Sequence, residues 1–532
     1  RLINILLMFL VFLNKLKEII KKKKLLVFLI FIFAFYFNSI YSNIGVLPLD
    51  TFFHFDPGFR IMQGFFPIKD FWVVSGLVPD LMQALFFYVL GVSWNTLVIH
   101  SSILNGIVSV STFIFLKKIG LNKIYALIYS LFLAILAYPL SGTPFVDHHA
   151  VFFSLLSLYF FIFAVESKKN YYWIVVVTLL FSSFFSKQVP ASYFASLLIL
   201  ITIYYCYVNK TIKPLAYSFF SLIFYLFFIY FLLFVSKIDL NSFFIQYFFY
   251  PPSIAAERLK NLTNFSVINF IHEFKFILIP LVILIILNFK KILKNSSYLK
   301  KNDFIFFIGI LSFAISLVFY QTITKNQNLT YFLSIILFAY FHSLLPAQII
   351  KYKKLLINLI LFFSFVITLK IHFEYNENRK YHDLKNANLK IAKDAALIDK
   401  KLKNLKWIST NYMKDPLEEI EYLKNTLGVI KKDKRKKIVI TNYLFFSSVL
   451  NENLHSPSRS FTPDGASYPR PKNKYFNEYK KFFKKNITKN KIKVIYVVDL
   501  EPSVVSNYLD STCILDQSKK NKLYIFEIDE KC

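Results

Sequence analysis

Apolar runs of roughly 17 to 22 residues recur along this chain from Leu25 to Leu369, and each is long enough to cross a hydrocarbon layer about 30 Å thick. No other property of the sequence limits the fold so sharply. Spans are predicted near residues 25–42, 94–116, 124–140, 149–166, 171–186, 190–208, 214–235, 275–289, 304–320, 331–348 and 355–371, about eleven in all. Composition agrees: of 532 residues, 56% are hydrophobic and 19% aromatic, with only 11 glycines, a balance more apolar than that of average soluble domains. After Lys370 the long runs stop and charge rises, so residues 372–532 read as one water-soluble domain.

The lysines between the runs give the spans a direction. Lys15, Lys17 and Lys21–Lys24 precede the first span, which keeps residues 1–24 cytoplasmic. Alternating from there, Lys117–Lys123, Ser167–Asn170, Asn209–Lys213, Lys290–Lys301 and Lys351–Lys354 fall inside, and all carry two or more lysines. The outer set is Asn43–Ser93, Ser141–His149, the surroundings of Lys187, Ser236–Lys275 and Gln321–Thr330. It holds nearly all the loop aspartates, histidines and prolines. An odd number of spans places the C-terminal domain outside, and the chain is expected in the cell inner (plasma) membrane. The formal charge of +32 would suggest nucleic acid in a soluble protein. Here it belongs to the pattern that orients spans, so no nucleic-acid partner is expected. The opening run Leu2–Leu13 is too short to span and lacks a cleavage site, and reads as a peripheral leader, with Met8 nearer a true start. Leu77–Gly91, apolar but about fifteen residues long and broken near Pro79–Asp80, reads as a helix lying along the membrane surface.

The polar residues of the outer loops are the candidates for chemistry. In the first outer loop (residues 43–93), Asp50 and His54 share a face if the segment is helical, with Asp56 two residues further on. A carboxylate at the membrane rim can take a proton from a hydroxyl, bind a divalent cation, or cap a surface helix. In the second outer loop Asp147, His148 and His149 bring an acid and two imidazoles together before a span. They suit a metal, a proton relay, or a helix cap with headgroup contacts. Lys187 and Arg258 are outer-side cations near the membrane, matched to a lipid phosphate or to ordinary headgroup contact. GxGxxG, GxxxxGK[ST], HExxH and CxxC patterns are absent, which leaves nucleotide hydrolysis and zinc proteolysis without support. Spans nearly free of charge argue against an ion-coupled transporter.

The pattern Asp50…His54…Gly64-x-x-Pro67-x-x-Asp70-Phe71…Gly76, an acid just past the first span, resembles the first outer loop of the GT-C membrane glycosyltransferases. The branch it most resembles contains the aminoarabinose, dolichol-phosphate-mannose and lipopolysaccharide-core sugar transferases. The Asp147-His148-His149 loop is similar to the second acidic motif of that superfamily and to that of archaeal oligosaccharyltransferase subunits. The resemblance implies a GT-C-like polytopic α-helical membrane fold over residues 25–371, with an extracytoplasmic C-terminal domain. It implies an inverting transferase of cell-envelope biogenesis, with a polyprenyl-phosphate-linked sugar donor and a glycan, lipid or protein acceptor at the outer face. Asp50 would be the catalytic base, Asp56 and Asp147 secondary acids, and Lys187 and Arg258 the groups for the donor phosphate. Many relatives carry Asp-Glu where this chain has Asp50-Thr51, so no obligatory metal is expected, although a divalent cation is possible. A flippase for lipid-linked glycans and an O-antigen-type polymerase are the competing readings.

In the C-terminal domain, Tyr375–Lys406 is predicted as a helical lead-in and Pro416–Leu423 as a second helix. The β-branched runs Lys437–Thr441, Lys493–Val498 and Leu523–Ile528 suit buried strands, giving an α/β arrangement. Residues 451–471, with His455, Arg459 and Arg470, read as a long loop, either an uninvolved surface loop or one that reaches back over the catalytic face. Cys206 lies in a predicted span, whereas Cys513 and Cys532 flank the terminal strand and could close a hairpin outside the cytoplasm.

Overall fold

The computed structural model describes residues 23–259, 265–324, 330–345, 353–374, 384–529 and 532; the N-terminal run Leu2–Leu13 therefore lies outside the described residues. The chain is a polytopic α-helical membrane protein carrying a C-terminal α/β domain. Among the described residues, eight helices are long and apolar enough to cross a membrane: Lys24–Ser42, Trp94–Lys118, Val146–Ser167, Gln188–Val208, Lys213–Val235, Val267–Lys294, Asn302–Thr324 and Lys354–His372. Three other expected spans fall on shorter apolar helices, Lys123–Leu136, Tyr171–Ser186 and Phe332–Ser343. At 1.5 Å per residue these measure roughly 18–24 Å, short of a full hydrocarbon layer, so the count of about eleven spans is met by length in eight. The helix containing expected span 275–289 begins earlier, at Val267, and takes in His272, Glu273 and Lys275.

Contacts sort the connections into two ends. At one, Lys118 pairs with Glu166 at 3.0 Å, Tyr204 donates to the Leu299 carbonyl at 2.9 Å and Tyr340 to the Asp303 carbonyl. At the other, Gly76 N–H donates to the Ser186 carbonyl at 2.8 Å, Lys187 meets Asp147 and Lys69 donates to the Ser236 carbonyl. The lysine-rich turns thus gather apart from the loops that carry the acids and histidines. The three short helices each connect these ends. Buried amides tie helices together where hydrophobic burial gives little preference between neighbours: Asn38 donates to Ser101 and Ser102 at 3.0 and 2.9 Å, and Asn105 to the Ala34 and Ala134 carbonyls.

Helix Leu77–Leu90 buries Asp80, Gln83, Ala84 and Phe87 and exposes Leu81, Leu85, Tyr88 and Val89. A mixed inner face, where Asp80 and Gln83 stand beside Pro79, Ala84 and Phe87, and an apolar outer one suit a helix whose outward side meets lipid. The first long connection also enters the C-terminal fold. Strand β1 (Ile44–Val46) pairs in parallel with β3 (Lys406–Ser409), which pairs antiparallel with β2 (Lys393–Asp394). Phe52, Phe55 and Phe59 share a core with Trp407, Leu423 and Phe445, and the Phe52 and Phe445 ring centroids lie 4.8 Å apart. The two regions are therefore fused through a common apolar core.

The second sheet runs β4-β5-β7-β6, from β4 (Lys437–Thr441), β5 (Val494–Val498), β6 (Ile514–Lys520) and β7 (Leu523–Ile528), with only β4 and β5 parallel. The expected helical lead-in is not formed over its described part: residues 389–402 make three short 3-10 turns around a two-residue strand. Asn and Asp side chains cap each turn, as at Asn388, Asp394 and Asp399, and such local bonds compete with continuous helix. Cys513 and Cys532 form a disulfide that closes the β6–β7 hairpin. Their separation of 19 residues corresponds to about 3 kcal/mol of loop-closure stabilisation. Replacing both by Ser is expected to lower the unfolding midpoint of the C-terminal domain by roughly 6–12 °C in a thermal scan.

Candidate functional site

Two polar trios lie side by side where the first two acidic loops, the turn at Lys187 and the C-terminal domain meet. The first is His54, Asp80 and Arg459. The His54 Nδ1–H donates to Asp80 Oδ1 at 2.6 Å, and the Arg459 guanidinium donates to Asp80 Oδ2. All three side chains are at most 4% exposed. Burial, reinforced by the Arg459 charge, holds His54 well below its usual range, so the imidazole is neutral. Burial also pushes Asp80 up to about 7 and lowers Arg459, while each charge opposes the shift of the other. With Nδ1 committed as donor, Nε2 carries the lone pair. That nitrogen is buried and has no hydrogen-bond partner among the described residues.

Arg459 reaches this place because a glycine lets it through. Gly76 precedes helix Leu77–Leu90 with φ of 83°, and a Cβ there would lie 2.6 Å from Arg459 Nη1 and 2.9 Å from Val146 Cγ1. Gly76→Ala is expected to cost about 2 kcal/mol or more, combining left-handed backbone strain with the clash. A thermal unfolding scan that leaves the midpoint unchanged would contradict this packing.

The second trio is Asp147, Lys187 and Tyr320. Lys187 Nζ lies 2.6 Å from Asp147 Oδ1 and 2.6 Å from the Tyr320 hydroxyl, which also donates to Asp147. Asp147 stands in the first turn of helix Val146–Ser167, and Lys187 closes helix Tyr171–Ser186. The trios adjoin through Phe53, which stacks under Arg459 at 4.8 Å and meets the Phe145 ring at 5.9 Å.

A row of side chains extends from the first trio toward the helices. The His54 and His149 ring centroids are 6.1 Å apart, and His149 Nε2 lies 3.0 Å from His100 Nε2. His149 Nδ1–H donates to the Phe145 carbonyl at 2.9 Å, the Tyr138 hydroxyl lies 2.9 Å from the same nitrogen, and His100 Nδ1 lies 2.9 Å from Gln83 Oε1. His148 is buried, stacks on Tyr138 at 5.1 Å and has neither ring nitrogen hydrogen-bonded among the described residues.

The remaining candidates fall differently. Asp50 is half-buried in helix Pro48–Thr51, which ends before the turn at residues 52–54, so Asp50 and His54 do not sit on one continuous helix. Asp56 is buried and accepts from the Ser447 and Ser448 backbone N–H groups at 3.0 and 2.9 Å and from the Ser448 hydroxyl at 2.7 Å. Its carboxyl thereby caps helix Phe446–Leu450 and fastens the first loop to the C-terminal domain. Arg258 belongs to helix Tyr250–Leu259, and its side chain lies outside the described residues. Among the described residues no group of three or more His, Cys, Asp and Glu is placed to share a metal ion, and Asp147 is already held by Lys187 and Tyr320.

Asp80, Arg459, His100 and Tyr320 are absent from the sequence-derived set. His100 carried a signal, being an imidazole inside an apolar span. Asp80 was read only as a break beside Pro79.

The fold and the site define a membrane-embedded helical protein whose buried polar cluster is completed by its α/β domain. No family model matches the sequence, and no curated protein matches it. Among solved structures, the chain is similar to the Archaeoglobus fulgidus oligosaccharyltransferase, determined in complex with Zn and sulfate. Identity is 11% and the TM-score 0.40, over 87% of this chain and 68% of that one.

Proposed function

We propose that this protein is a membrane glycosyltransferase that moves a sugar from a polyprenyl-phosphate-linked donor to a glycan, lipid or protein acceptor at the outer face, with Asp50 as base. The observation that carries this reading is the convergence of acids, imidazoles and cations at one end of an apolar bundle, beneath a domain fused to the first loop. A lipid-borne donor stays in the membrane, so its enzyme needs an apolar flank for the tail and polar groups at the rim. Asp50 takes the proton of the acceptor hydroxyl as its oxygen attacks the anomeric carbon. The bond from that carbon to the phosphate oxygen breaks, and the phosphate leaves as an anion opposite the attacking oxygen.

Lys187 has three N–H donors; Asp147 and Tyr320 engage two of them, which leaves one for a departing phosphate oxygen. Arg258 is the second candidate for that charge. His54, oriented by Asp80, offers Nε2 as an acceptor for a sugar hydroxyl, with His148 and His149 behind it. Asp56 serves as a strut for the roof. The test incubates the purified full chain with a panel of radiolabelled polyprenyl-phosphate sugars and extracted envelope acceptors. Label should move to an acceptor fraction, and failure with every donor, in protein shown to be folded, would sink the reading.

A further inference from the structure

We infer that a second anion site, independent of the transfer reaction, lies in a lysine-lined cavity of about 240 Å³ between the first outer loop, the turn after helix Lys213–Val235 and helix Phe476–Asn490. Its ligand class is a phosphorylated group, and the source the position favours is a membrane lipid headgroup.

Lys69, Lys237, Lys485 and Lys489 line the cavity together with Asp239 and Asn486. These lysines come from three separated stretches of chain, so they meet only because the first loop and the C-terminal domain close on the bundle. Two are already engaged: Lys69 Nζ donates to the Ser236 carbonyl at 2.9 Å, and Lys489 pairs with Asp70 at 2.7 Å. The side chains of Lys237 and Lys485 have no hydrogen bond and no ion pair within 4 Å among the described residues, although Lys485 is near enough to Asp239 to add to the Ser242 N–H bond in lowering the carboxyl's pKa. The nearby carboxylates do not balance them. Asp239 accepts from the Ser242 N–H and hydroxyl at 2.8 and 3.0 Å, as the cap of helix Leu240–Phe244. Asp70 accepts from the Phe66 N–H as well as from Lys489. Four lysines thus face two aspartates, an excess of two positive charges at the end of the bundle where the lysine bias leads one to expect few.

The walls are held in unusual backbone. Ile68, a β-branched residue, has φ of 76°, and Lys237 has φ of 53°, a region that such side chains seldom occupy and that tends to mark ligand sites. Ile68 is kept there by two bonds, from its N–H to the Phe71 carbonyl at 2.8 Å and from Gln246 Nε2 to its own carbonyl at 2.9 Å. The volume corresponds to roughly eight waters of liquid, room for a phosphate with part of the group that bears it. Position favours the lipid, because Lys237 stands two residues past the end of helix Lys213–Val235, whose Phe234 and Val235 are exposed. Ammonium groups at that depth meet phosphates as point charges.

The experiment compares the parent chain, the double variant K237Q/K485Q and a control, K431Q/K432Q, which removes two lysines from helix Pro416–Lys432. Phosphatidylcholine nanodiscs with and without phosphatidic acid supply the lipid arm, and inorganic pyrophosphate in neutral detergent the soluble arm. Thermal midpoints without ligand verify that all three proteins fold. The parent and the control should retain phosphatidic acid in native mass spectrometry, while the double variant binds it roughly tenfold more weakly, as expected for two lost charge-assisted contacts. Pyrophosphate binding that the double variant loses, without retention of phosphatidic acid, would support the phosphate site with a soluble ligand. Equal binding by all three proteins, or no binding of either probe, would overturn the site.

Discussion

Asp50→Asn is expected to lower sugar transfer by about 10²–10⁴-fold while leaving the protein folded and its donor bound, the range seen when a positioned proton acceptor is removed. Asparagine keeps the shape of the side chain and loses the charge that accepts the proton. Asp50 is only half-buried, in a four-residue helix, so the exchange leaves no cavity. The loss should appear in kcat with little change in KM, because the base acts on the acceptor hydroxyl in the transition state. The acid limb of the kcat/KM profile should also disappear, since that limb reports protonation of the base. Undiminished transfer by a variant with the parent's thermal midpoint would remove Asp50 from the role.

How far the sequence discloses this site depends on the kind of signal each residue carries. The long helices were legible because lipid imposes one length and one composition on whatever crosses it. The helices Lys123–Leu136 and Phe332–Ser343 are shorter than the expected runs 124–140 and 331–348, whereas Tyr171–Ser186 has the expected bounds. Run length in the sequence includes flanking residues that the fold turns into caps and loops, as at Tyr138–Leu140. His149, Asp147 and Lys187 stood out as polar residues at the ends of apolar runs. Asp56 stood out equally and proved to hold the cap of a helix some 390 residues away, because a carboxylate near the membrane looks the same in sequence whether it meets substrate or backbone. Arg459 shows the opposite failure. Its partner Asp80 is 379 residues distant, and no local periodicity links a loop of the C-terminal domain to a helix of the first connection. The lead-in helix failed for a local reason, as asparagine and aspartate caps at residues 388, 394 and 399 divert the backbone into turns.

The pairing of Asp80 with Arg459 makes the second large prediction. Asp80→Leu should destabilise the protein by about 3–5 kcal/mol, because it leaves a guanidinium charge in a site from which water is excluded. Arg459→Leu alone should cost less, about 1–3 kcal/mol, because Asp80, already pushed up to about 7 by burial, takes up a proton once the guanidinium is gone. The double variant should recover part of the Asp80→Leu loss, since an apolar pair replaces a buried ion pair at little net cost. The buried His54 Nδ1–H, left without its acceptor, keeps a penalty of about 1–3 kcal/mol. Thermal unfolding of all four proteins in one detergent therefore gives a strongly non-additive cycle, and additive single effects would show that the pair does not act as a unit. The same double variant separates stability from function. It retains the apolar contacts of the roof but removes the acceptor that fixes the His54 Nδ1–H tautomer, so Nε2 is no longer held as the lone-pair nitrogen. Recovered stability with impaired transfer would then identify Arg459 and Asp80 as positioning residues that act through His54. Recovered stability with full transfer would confine them to joining the C-terminal domain to the first loop.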